Sequence, residues 1–198
     1  MRWIALVVLG VFAAATCSAD EVADAMERAR EAYSRGDYRE TSTELRSALS
    51  GVSEKIIELL MERMPTPPDG WQAGEPEGLD SGNYGMGFFA GLVVTRTYTT
   101  PQGSTIDLTI AADSPMLSTL LVFVSNPMLT QMGGESGMEK VSVCGNDAVE
   151  ETEGTAAIHI LAGASTLISV EGESPADIED VRALASGVDC QGIVAIVE

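Results

Sequence analysis

Apolar positions follow two rhythms along this chain, and the switch between them divides it. From position 20, Val22, Ala25, Met26, Ala29, Ala32 and Tyr33 recur at three- and four-residue steps, which places them on one face of a helix. Gly36-Asp37 predicts its end. A second helical stripe, Leu45, Ala48, Leu49, Val52, Ile56, Leu59 and Leu60, stops before Pro65, which cannot continue the hydrogen-bond ladder. Residues 20–64 therefore predict a hairpin of two antiparallel helices.

Pro65, Pro67, Pro68 and Pro76 are then interleaved with Gly70, Gly74, Gly78 and Gly82, and predict a linker over 65–82 without regular structure. Trp71 interrupts it, and a ring of that size is expected to pin the linker onto the domain that follows. From Tyr84 the pattern becomes strand-like. Residues 88–99 and 105–111 are rich in β-branched and aromatic side chains, with Pro101-Gln102-Gly103 as the turn between them. Ser114-Pro115 predicts a helix start, with Ser as cap and Pro in the first turn. Shorter strands are expected around 140–143, 148–150, 156–161 and 166–170, and Ser174-Pro175 opens a last helix through Ala185. Two strands, a helix, three or four strands and a helix predict an α+β class: an N-terminal helical hairpin plus an antiparallel sheet covered by two helices, the latter over 83–198.

Ahead of the hairpin, Met1-Arg2-Trp3, the apolar run Ile4 to Ala15 and the closing Thr16-Cys17-Ser18-Ala19 have the three parts of an export signal, with cleavage expected after Ala19. The run is shorter than the roughly 20 residues a membrane-spanning helix needs. Cleavage before Cys17 with lipid attachment fits less well, because Ala14-Ala15-Thr16 lacks the Leu and the small residue usual before a lipidated cysteine. A periplasmic location follows. Cys144 and Cys190 then remain, and an oxidising compartment predicts that they are bonded to each other.

Without the signal the chain carries ten basic residues against thirty acidic ones, a net of −20. From Pro65 onward only Arg96, Lys140 and Arg182 are basic, which argues against nucleic acid and anionic lipid as partners. His159 is the single histidine and lies within a predicted strand, and no Gly-x-Ser-x-Gly elbow supplies a nucleophile. Asp147, Glu150, Glu151 and Glu153 crowd one hairpin and Glu171, Glu173 and Asp177 another, without the spacing of a calcium loop. The glycines of the stretch 81–87 lack the strand-then-helix context of a phosphate loop. No catalytic, cofactor or metal set is expected. The most unusual segment is 116–132, where Met116, Leu120, Phe123, Met128 and Met132 belong to a helix apolar on nearly every side. It is expected either as a core helix or as a methionine-rich interaction helix. Met128, Met132 and Met138 also offer thioethers to copper(I).

Two resemblances attach to these residues. Ala29, Tyr33, Gly36-Asp37-Tyr38, Leu45 and Ala48-Leu49 resemble the middle of a tetratricopeptide repeat, departing at Thr41 where that family prefers Ala. Pro68-Asp69-Gly70-Trp71 leading into the strands is similar to the Mog1/PsbP-like domains. The whole layout, with Ala112-Asp113-Ser114-Pro115-Met116-Leu117 and Ser125-Asn126-Pro127-Met128, resembles a group of uncharacterised exported proteobacterial proteins. The repeat resemblance implies that the hairpin leans on another surface, since a single repeat cannot bury its stripe alone. The expected function is a non-enzymatic accessory or binding protein of the cell envelope, whose partner is another envelope protein; the alternative is a metal-ion or small apolar ligand binder.

Overall fold

A computed structural model of the protein describes residues 17–80, 91–112, 121–122, 137–173 and 176–198. The expected export signal up to position 16, the glycine stretch 81–87, Ser174-Pro175, and Met116, Leu120, Phe123, Met128 and Met132 of the expected interaction helix lie outside the described residues. The chain divides into two compact units, one ending at Ser53 and one running from Glu54 to Glu198.

The first unit holds the start of an N-terminal helical pair and ends at Ser53, inside the second helix. Helix α1 (Cys17–Ser34) and the first part of α2 (Tyr38–Met61) meet at Arg35-Gly36-Asp37. There the Asp37 N–H donates to the Ala32 carbonyl and the Gly36 N–H to the Tyr33 carbonyl, each at 3.0 Å, the pairing that closes a helix on a left-handed glycine. Asp37 then caps α2, its carboxylate accepting from the Glu40 N–H at 3.0 Å. Small residues make the interior of the hairpin: Ala25, Ala29, Ala32 and Ala48 are buried, and Arg28 of α1 bonds Glu44 of α2 at 2.7 Å.

The second unit is built on an open antiparallel sheet. Its strands are β1 (Gln72–Ala73), β2 (Glu77–Asp80), β3 (Leu92–Thr99), β4 (Thr105–Ala112), β5 (Met138–Val143), β6 (Asn146–Glu151), β7 (Ala156–Ala162) and β8 (Thr166–Gly172). Their order is β1-β3-β4-β8-β7-β6-β5, with β2 also on β3. Two helices follow, α3 (Ile178–Ala185), capped by Asp177, and α4 (Cys190–Val197), capped by Asp189. The α+β class with an N-terminal helical pair is thus the observed architecture.

Two elements depart from expectation. The stretch 65–82 contains β1 and β2, which share one edge of β3: Ala73 pairs with Tyr98 and Glu77 with Thr95, so one extra residue is accommodated between them. The interruption falls at Pro76, which has no N–H to donate, and proline is tolerated at a sheet edge for that reason. The second is α4, where no element was expected: the Asp189 carboxylate accepts from the Gly192 N–H at 2.9 Å and starts a helix despite β-branched Ile193, Val194, Ile196 and Val197.

Strict alternation gives the sheet two faces. On one, Val94 and Tyr98 of β3, Ile106, Leu108 and Ile110 of β4, Ile168 and Val170 of β8 and Ile158 and Ile160 of β7 form the main core with Ile57, Leu60, Val181, Leu184 and Ile193. Trp71 packs against this cluster, as expected of it. On the other face Val149, Leu161 and Leu167 form a smaller cluster, with Met138 against it.

Candidate functional site

The first unit keeps its alanines inside and its large side chains outside. Tyr33 is 65% exposed, Tyr38 70%, Leu45 53% and Leu49 65%. The packing of α1 on α2 uses Ala25, Ala29, Ala32 and Ala48, so the bulkier members of the same stripes are left at its margin. Tyr33 and Tyr38 meet edge-to-face across the helix junction, ring centres 5.9 Å apart. Together with Thr41, Ser42, Leu45, Arg46 and Leu49 they line a shallow groove of about 400 Å³. Scattered apolar residues on a surface are ordinary, but a contiguous stripe is a feature of contact surfaces.

His159 sits on the second face of the sheet, on β7, with its side chain 14% exposed. Register brings Ser169 of β8 opposite it, and Nδ1 lies 2.9 Å from Ser169 Oγ. On its other side Glu151 Oε1 is 3.7 Å from Nε2, beyond hydrogen-bond distance. Thr109 pairs with Ser169, and its hydroxyl lies 3.1 Å from that of Thr95. These residues have the composition of a Ser-His-Glu set, but β8 is paired on both sides over its whole length. Its amides are therefore committed to the ladder, leaving none beside Ser169 to stabilise an oxyanion. His159, Ser169, Thr109 and Thr95 thus lie in register as a row of polar side chains on this face.

Searches of family models, of curated proteins and of solved structures find no match.

The carboxylates that crowd the two hairpins do not converge. Asp147 bonds Lys140 at 3.0 Å. Glu150 lies on the opposite face of the same strand, buried and held by Arg182 Nε at 2.8 Å and by Arg182 Nη2. Glu173 accepts from the Thr105 hydroxyl at 2.8 Å, and Asp177 caps α3 through the Asp180 N–H. No group of three or more metal-ligating side chains occurs among the described residues. Of the three methionines considered for copper(I), Met138 packs against the smaller cluster and the other two lie outside the described residues.

The Glu150–Arg182 pair forms the wall of a cleft of about 410 Å³ between the β5–β6–β7 end of the core face and α3, lined also by Val141, Val143, Cys144 and Ile158. The hydrogen bonds that Arg182 donates to Glu150, with the negative charge of Glu150 and Glu179, raise the guanidinium pKa. Cys144 at the cleft rim is bonded to Cys190, their Cα atoms 6.2 Å apart, and the pair fits an oxidising, exported environment. Of the expected interaction helix, Leu121 and Val122 are helical and exposed. No helix among the described residues is long and apolar enough to cross a membrane.

Sequence periodicity marked Leu45 and Leu49 as apolar stripe positions. It did not mark Arg46 and Tyr38 as lining the same groove, because that depends on which side of α2 the alanine-sized contacts with α1 occupy. Nor did it join Glu150 to Arg182, 32 residues apart. The available signal was a lone basic residue on the last predicted helix in a chain short of cations.

Proposed function

We propose that this is an exported accessory protein of the cell envelope, residing in the periplasm, that works by contact with another protein through its N-terminal helical hairpin. The observation that carries the reading is the solvent exposure of Tyr33, Tyr38, Leu45 and Leu49 along one groove while the alanines of the same helices are buried. Burial of such a stripe releases roughly 25 cal/mol per Å² of apolar surface, so leaving it in water is costly unless a partner covers it. Aromatic and leucine anchors around one arginine are also the residue types on which binding energy concentrates. The tetratricopeptide-like hairpin resemblance fits a surface meant to be stacked on.

A photo-crosslinking residue placed at Leu49 in living cells tests this. One discrete, identified partner is expected, absent when the same residue is placed at Thr97 on the sheet, and its purified form should lose binding to a Leu45→Arg variant that melts normally. Purified partner that binds Leu45→Arg as well as it binds the unaltered protein would rule the hairpin out.

A second reading, a small-ligand binder, is favoured by the cleft beside Glu150 and Arg182. A ligand seated there would raise the melting temperature with its concentration.

A further inference from the structure

We infer that the segment seated on the hairpin is an amphipathic helix of another protein, carrying acidic residues along one edge of its apolar stripe. This rests on the docking reading above and adds the chemistry of the partner.

Shape argues for a helix. Tyr38, Leu45, Leu49 and Val52 recur at helical spacing on α2, all exposed, and at a rise of about 1.5 Å per residue they extend over roughly 20 Å. A straight apolar row of that length is matched by anchors at i, i+4 and i+7 of a second helix laid beside it. Charge argues for acid on the partner. Of the five arginines between positions 28 and 46, Arg28 holds Glu44, Arg30 holds Glu27 and Arg35 holds Glu40. Arg39 and Arg46 hold no carboxylate among the described residues. They lie two turns apart on the same edge of the stripe, and Arg46 lines the groove. In a chain with 30 acidic and 11 basic residues, uncompensated cations stand out, and complementary charge across an interface sets register and excludes wrong partners. A net charge of −19 opposes pairing with a second copy that carries the same charge.

Three labelled helical peptides of about 18 residues, long enough to hold helical structure, test this by fluorescence anisotropy against the full protein. One carries a leucine stripe with a glutamate edge, one the same stripe with a lysine edge, and one alanines in place of leucines with the glutamate edge. The glutamate-edged leucine peptide is expected to bind about 3- to 10-fold tighter than the lysine-edged one, the range that two exposed ion pairs provide. That preference should shrink with added salt and reverse in R39E/R46E, while the alanine peptide should not bind. Equal affinity for the two edges would overturn the acidic-partner inference and leave hairpin docking standing; failure of both leucine peptides would remove both. Binding of the hairpin to phosphatidylglycerol vesicles, or a dimer in sedimentation that Leu45→Arg dissolves, would also overturn it in favour of lipid or a second copy.

Discussion

Single residues of the sheet show how burial fixes their chemistry. Tyr98 is fully buried, its hydroxyl donates to the Pro65 carbonyl at 2.8 Å, and the Arg96 guanidinium stands 5.5 Å from its ring centre. Burial pushes the phenol pKa up, and the nearby cation offsets only part of this. A raised folded-state pKa means that the native state keeps its proton more tightly than the unfolded chain. The associated stability is complete below the ordinary tyrosine value of about 10 and is lost as pH rises through the higher native value. Tyr98→Phe should cost about 1 kcal/mol at neutral pH, the worth of the lost hydrogen bond. Because Phe does not titrate, the variant should lose less stability than the unaltered protein on going to about pH 11. Urea unfolding of both proteins at the two pH values checks this, and a gap that stays constant would show that Tyr98 does not ionise on unfolding. Glu150 and Arg182 follow a related logic, since a buried carboxylate is tolerated when a guanidinium satisfies both its oxygens.

Helix α2 makes the corresponding point for elements. Leu49 and Leu60 belong to one periodic stripe, yet Leu49 is 65% exposed and Leu60 is 0% exposed, packed in the main core. Leu60→Ala should therefore cost about 2–5 kcal/mol, and Leu49→Ala should stay within about 0.5 kcal/mol of the unaltered protein. Chemical denaturation separates them, and comparable losses would mean that Leu49 is covered within the chain. Periodicity places a residue on a face but does not say what meets that face, which is why the helices were legible in the sequence and the groove was not. The long strands were legible for a related reason: Ile106, Leu108 and Ile110 alternate cleanly, as one buried face demands. The edge strands β1 and β2 were hidden by Pro76 and the surrounding glycines, because their pairing depends on β3 and not on their own propensity. The contact of His159 with Ser169 was equally hidden, since it arises from the register of two strands that one turn joins. Helix α4 was missed because its β-branched residues favour extended chain, and the Asp189 cap decided otherwise.

At the scale of the whole molecule, charge is unevenly distributed. From position 20 to Ser53 there are eight carboxylates and five arginines, whereas Glu54 to Glu198 holds 22 carboxylates and five basic residues, a net of −17. Self-repulsion of that size works against a compact state, so the fastenings of this unit carry added weight. Helix α4 is tied at both ends. Cys190 at its start is bonded to Cys144, which occupies a two-residue turn with Gly145; both have positive φ, the geometry that matches strand twist in a tight hairpin. At the other end the Glu198 carboxylate accepts from the amides of Ala164 and Ser165 in the β7–β8 turn. The disulfide closes a sequence separation of 46 residues, for which chain entropy gives up to about 4 kcal/mol. A Cys144→Ser/Cys190→Ser variant should lose stability toward that limit, with a steeper urea slope, because the chain without the cross-link exposes more surface on unfolding. The loss should bring it closest to unfolding at low ionic strength, where repulsion among the carboxylates is least screened. Hydrogen exchange should show the amides of α4 losing protection ahead of those of β4 and β8, because the covalent one of its two end attachments would then be gone. Uniform loss of protection across the sheet and α4 would instead mean that the bond stabilises the unit only by restricting the unfolded chain, and that the last helix is held by its packing through Ile193.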